Sequence, residues 1–151
     1  MRNLLSRAAA RLEQRRNDYA ALSVLFCRSR ASDPGDAALV PPSNITMTDP
    51  DDGGNVTIAI TVNATVGQTP FDLEDASGVN VRVRNRDYLI LIADLAAFWA
   101  IAFGDSKPVR GDFIIDRDEA YEVMAMPGKP ESEVPGGYGN TFRIHTKKRA
   151  S

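Results

Sequence analysis

The chain of 151 residues has one cysteine, Cys27, and one histidine, His145. A lone cysteine excludes an internal disulfide, and with a single histidine no Cys/His set has the spacing of a zinc site. A reducing compartment is the expectation. The N-terminus begins with charge and lacks the apolar core of a secretory leader, so export by that route is not expected. The longest apolar run, residues 88–103, is interrupted by Asp94 well short of a membrane span. A soluble chain with no membrane partner follows, and the three Asn-x-Thr sequons at Asn44, Asn55 and Asn63 carry no meaning without secretion.

Positive charge is missing from one long stretch. Residues 31–81 contain no Lys or Arg, yet hold Asp33, Asp36, Asp49, Asp51, Asp52, Asp72, Glu74 and Asp75. Residues 1–30 have the opposite balance: Arg2, Arg7, Arg11, Arg15, Arg16, Arg28 and Arg30 against Glu13 and Asp18. The net charge of -2 therefore averages a cationic end and an acidic middle. Such polarity suits head-to-tail contact between copies or with a charged partner, and equally suits plain solubility.

Hydrophobic residues at 43% and charged residues at 25% are ordinary globular usage, and the length fits one core. The expectation is a single domain over residues 1–151: a basic helix at 2–21 and a β-rich body at 22–148 with a long loop at 29–54. In the helix, Leu4, Leu5, Ala8, Leu12 and Tyr19 share a stripe about 100° wide. Arginines border it on both sides, where their stems can cover apolar surface. That face either packs on its own domain or docks on another subunit or an anionic surface. Arg2, Arg7, Arg11, Arg15 and Arg16 are the candidate partner-contacting residues.

Residues 22–28 read as a strand with Cys27 as a small core residue. The loop 29–54 follows, full of breakers: Asp-Pro-Gly, Pro-Pro, Asp-Pro and Gly-Gly. Residues 55–66 alternate without a break, placing Val56, Ile58, Ile60 and Val62 on one face. Val79, Val81 and Val83 alternate with Asn80, Arg82 and Arg84, which predicts a strand running on to Ile92 before a short helix or turn. Arg82, Arg84 and Arg86 would then align on one face, available to DNA phosphates or to an acidic subunit. Residues 111–115 and 120–126 flank the polar tetrapeptide Asp116-Arg-Asp-Glu119, a hairpin. A Pro/Gly-rich loop at 127–140 precedes a last strand with Phe142, Ile144 and Thr146 on one side, and the basic tail 147–149 is expected to fray. The fold class is mainly β: a small β-barrel or sandwich with an N-terminal amphipathic helix and long loops.

Catalytic patterns are scarce. His145 lies in an alternating strand, with no Gly-x-Ser-x-Gly elbow elsewhere. Gly136-Gly-Tyr-Gly139 lacks the lysine and following helix of a phosphate loop. Asp49-Pro-Asp-Asp-Gly-Gly54 begins like a calcium loop, but strand residues stand where its late glutamate belongs. Asp112, Asp116, Asp118 and Glu119 could do acid-base work only if a pocket raised one of their pKa values. No cofactor, no metal and no enzyme activity are expected.

The C-terminal half resembles the head-closure, or stopper, proteins of long-tailed bacteriophages, also called head-tail joining proteins. The resemblance lies in the order of short elements: Arg86-Asp-Tyr-Leu-Ile90 and Asp94-Leu95, Pro108-x-Arg-Gly-Asp112-x-Ile114, Tyr121-Glu-Val123, then Phe142-Arg-Ile-His-Thr-Lys147. It implies a small β-barrel made in the bacterial host cytoplasm and built into the virion neck. There its copies would form a cyclic ring beneath the portal and adaptor, close the DNA-filled capsid and offer a surface to the tail. Genomic DNA would pass through the lumen without sequence recognition. The apolar segment 96–103, the turn 116–119 and the acidic excursion 31–54 depart from the family layout. An adaptor or tail terminator of the same neck remains an alternative, as does a free-standing β-barrel binding module.

Overall fold

A computed structural model describes residues 22–67, 72–74, 80–82, 85–124, 132–133 and 140–149. The basic segment 2–21 and most of the loop 127–140 lie outside the described residues.

The body is built on one long antiparallel hairpin. Strand β1 (Leu22–Ala31) pairs with β3 (Asn55–Gly67) in unbroken register from Leu22 opposite Ala64 to Ala31 opposite Asn55. The alternation in β3 acts as its pattern requires: Val56, Ile58, Ile60, Val62 and Ala64 all point inward and are buried. Strands β7 (Phe113–Asp116), β8 (Glu119–Val123), β10 (Thr141–Lys148) and β6 (Asn85–Leu91) complete the wall. The order β1-β7-β8-β10-β6-β3 returns to β1, so the sheet is a closed six-stranded antiparallel barrel rather than a sandwich. Closure removes most of the unpaired edge that an open sheet would expose. A short strand, β2 (Ile45–Met47), lies along β3; β9 (Ser132–Glu133) lies along β10; β4 (Asp72–Glu74) and β5 (Asn80–Arg82) form a separate ribbon.

Strands β6 and β7 stand on opposite sides of the barrel, so the chain between them must cross one end of it. It does so through a 3-10 turn (Ile92–Leu95) and the helix α1 (Ala96–Ala102). Leu95, Phe98 and Ala102 turn inward and are buried. The Phe98 ring meets Phe26 edge-on at 5.3 Å between centroids, and Trp99 lies 6.0 Å from Phe26 and 6.3 Å from Phe142. Edge-to-face aromatic packing thus closes the end that the helix crosses.

Four expectations change. The arginine-bearing strand does not run from 79 to 92: Arg82 ends β5 in the small ribbon, and β6 starts afresh at Asn85, where β10 supplies a seven-residue partner. The excursion after residue 28 starts later, because Arg28 to Ala31 continue the β1–β3 ladder. It also contains a 3-10 turn (Pro34–Ala38) and β2. The hairpin is tighter, with Asp116 opposite Glu119 and only Arg117 and Asp118 in the turn. The tail is not frayed: Lys148 pairs with Tyr121 in register, and Arg149 donates its N–H to the Ala120 carbonyl and lies 4.5 Å from the centroid of the Phe113 ring.

Candidate functional site

Three polar clusters punctuate the barrel, and each takes residues that sequence alone offers for chemistry. In the first, Arg28 follows Val24 and Phe26 on the inward face of β1, and Asp112 continues the β1–β7 register one step beyond Cys27 and Phe113. Arg28 Nε and Nη2 hold the two Asp112 carboxylate oxygens at 2.9 Å each. Its remaining donors reach the carbonyls of Phe103 at 2.7 Å and of Asp105 and Lys107 at 2.9 Å. All five guanidinium N–H groups are therefore used. The third Asp112 contact comes from the Val109 N–H. One side chain thus fixes the whole connection from α1 to β7.

Two residues on, Arg30 fastens the neighbouring segment. It donates to the Ile101 carbonyl at 2.9 Å and to both Asp36 oxygens at 3.1 and 2.8 Å, with its guanidinium 4.1 Å from the centroid of the Phe103 ring. The Arg30 contact, with a further bond from the Asp33 N–H, holds the Asp36 carboxyl below its ordinary pKa.

The second cluster lies at the β7–β8 turn. Asp116 accepts from Tyr88 Oη at 2.9 Å and from Arg86 Nη1 at 2.8 Å on the same oxygen. Burial first, and then the Asp116 carboxylate, push the Tyr88 hydroxyl pKa upward. Glu119 accepts from Lys148 and from Tyr121, both at 2.9 Å, and the Lys148 ammonium foremost lowers its pKa. Asp112, Asp116 and Glu119 are thus divided between the two ends of the hairpin and each engaged with a cation, rather than gathered in one pocket.

On the outer face of β6 and β10, Asp87 stands opposite His145 and takes its Nδ1 at 3.0 Å, while Arg143 Nε binds the other oxygen at 3.0 Å. His145 is a buried strand residue tied to a carboxylate. Cys27 is buried on the outer face of β1, and desolvation pushes its thiol up to about 12.

Of the candidate contact residues, Arg2, Arg7, Arg11, Arg15, Arg16 and Arg84 fall outside the described residues. Arg82 lies in β5, and Arg86 lies in β6 with its guanidinium on Asp116, so the three do not line one strand. The turn at 49–54 is organised from within: Asp51 Oδ1 accepts the N–H of Gly53 and of Asn55, both at 2.9 Å. No group of three or more His, Cys, Asp and Glu side chains among the described residues is placed to hold a metal. No helix among them is long and apolar enough to cross a membrane.

Arg28 and Arg30, which in the sequence stand only as part of the N-terminal positive charge, are the site residues that the structure adds. Their spacing carried a signal. An arginine at i and i+2 of an apolar strand must find carboxylates or carbonyls on the face it shares with the core.

Along β3, between β2 and β6, lies a polar hollow of about 230 Å³ lined by Asn44, Thr61, Val62, Asn63 and Asp94. Its lining offers hydrogen bonding rather than a nucleophile. Residues 53–151 match a family model described as phage head-tail joining protein. A search of curated proteins finds no match.

Proposed function

The chain belongs to the phage head-tail joining protein family, and from that premise we propose that it is the stopper subunit of the virion neck. On this reading its copies form a ring below the portal and adaptor, retain the packaged DNA and present the surface to which the tail attaches. The observation that carries the proposal is the family match over most of the barrel, together with clusters of carboxylates held in ion pairs. Side chains engaged in this way stiffen a scaffold.

The basic N-terminal residues Arg2, Arg7, Arg11, Arg15 and Arg16 serve as a contact with another subunit. Arg82, Arg84 and Arg86 are the residues that would meet either the DNA or a neighbouring subunit. Contacts to the DNA would be with phosphates and indifferent to sequence.

A reconstruction of the head–tail junction tests the proposal. Density for a ring of this barrel between adaptor and tail is the expected result. A place one ring higher would make the chain an adaptor, and one ring lower a tail terminator. A purified chain that stays monomeric with portal–adaptor complexes and is missing from the virion would refute the neck role altogether.

A further inference from the structure

Among the described residues, the large apolar side chains left exposed are Leu39, Val40 and Phe103. They come from two separate segments, and Arg30 contacts both, at Phe103 and at Asp36. Its guanidinium lies against the Phe103 ring on one side and pairs with Asp36 on the other, while the Leu39 N–H is bonded to the Asp36 carbonyl at 3.1 Å. Val40, the next residue, is 93% exposed.

Phe103 is held outward against its own preference. Its φ of 60° and ψ of 170° fall in a region that is nearly reserved for glycine and costs other residues about 1–3 kcal/mol. The Arg28 bond to its carbonyl and the Arg30 stack on its ring maintain it there. Asp33 and Asp105 lie close in sequence to Leu39 and Phe103 and are exposed, and no Lys or Arg occurs from residue 31 to 81. Exposed apolar side chains beside exposed carboxylates are a form of protein contact surface, and among the described residues nothing covers Val40.

The sequence contains the complementary piece. Residues 2–16 contain Leu4, Leu5, Ala8 and Leu12 at the spacing that a helix would align on one stripe, with five arginines among them. We propose that the patch around Val40 and Phe103 receives residues 2–16 of a second copy, apolar side chains against the apolar patch and arginines against Asp33 and Asp105. Such an interface joins two different surfaces, so each added copy leaves one patch and one segment unused until a ring closes. The inference rests on the reading of the chain as a ring subunit and names which surfaces meet.

Two full-length variants test it. One carries Val40→Asp and Asp105→Arg on the patch; the other carries Arg7→Glu, Arg11→Glu and Arg15→Glu on the segment. Val40 and Asp105 are exposed, and an unchanged urea midpoint confirms that each variant folds. Sedimentation of the wild type should show self-association, weakened at least tenfold in either variant alone. An equimolar mixture should form a heterodimer and stop there, because only one good patch and one good segment remain. Disulfide trapping between a Val40→Cys copy and an Arg11→Cys copy gives a second readout, with Cys27 buried and unreactive.

A mixture that stays monomeric and untrapped overturns the docking, and so does either variant alone that self-associates as well as the wild type. A segment that folds onto the patch of its own chain would leave every sample monomeric and overturns it too. Should docking fail while the barrel still appears in the neck reconstruction, the neck role stands and only this interface is lost.

Discussion

Arg28 is the residue whose loss should be felt furthest. Its side chain is 8% exposed and Asp112 only 3%. Replacement by methionine keeps the stem but strands the Asp112 carboxylate with the single Val109 N–H. Breaking a buried ion pair from one side costs about 3–5 kcal/mol. The carbonyls of Phe103, Asp105 and Lys107 also lose a donor, but they are only part-buried and recover most of it from water. About 4 kcal/mol is therefore expected for Arg28→Met, a large share of a typical domain stability of about 5–15 kcal/mol.

The cause is read from a second substitution. Adding Asp112→Asn to Arg28→Met removes the stranded charge, so the double variant should be more stable than the single one by about 2 kcal/mol. Equilibrium urea unfolding measures both, and limited proteolysis of residues 103–112 reports whether the connection has come loose. A loss below about 1 kcal/mol for Arg28→Met, the range of ordinary surface changes, or further destabilisation on adding Asp112→Asn, would refute the reasoning.

Other outcomes follow from the same structure. The depressed pKa values of Asp36 and Glu119 stabilise the fold above the ordinary carboxylate range, and that contribution disappears as pH falls through the lower folded values. The urea midpoint should therefore fall on acidification below about pH 4, and the Asp36→Asn, Glu119→Gln variant should show a shallower decline; an identical acid limb would sink this. With its pKa at about 12, Cys27 should react negligibly with a thiol reagent at pH 8 until the chain is unfolded, and prompt labelling of the native chain would contradict its burial. Arg117 and Asp118 both hold positive φ, 53° and 66°, as two-residue hairpin turns require. Replacing them with Asn-Gly should raise stability by about 1 kcal/mol in thermal melts, and a lower melting temperature would count against that turn geometry.

Much of the barrel was legible in the sequence because burial on one face leaves a period of two. β3 shows it over its whole length, and Phe142, Ile144 and Thr146 show it in β10. Closure of the sheet was not legible, since it depends on β1 pairing with both β3 and β7, and alternation says which face is buried but not which strand lies alongside. The break between β5 and β6 was hidden for a related reason: Val81 and Val83 continue the alternation up to β6, although the pairing partner changes. In the polar clusters, Asp112 and Asp116 were visible as acidic residues near a turn. Their partners were not, because Arg28 is 84 positions from Asp112 and Arg86 is 30 from Asp116.

The ladder between β1 and β3 ends with Ala31 opposite Asn55, at a strand spacing of about 4.8 Å. The segment 32–54 therefore leaves and rejoins the wall at two points one strand spacing apart, with β2 and the Arg30–Asp36 pair tying its interior to that wall. Because the entropy of closing such a span grows only with the logarithm of its length, relatives could exchange this piece for longer or shorter ones at little expense to the wall beneath. Specificity for a particular neighbour can then drift quickly while the scaffold stays the same.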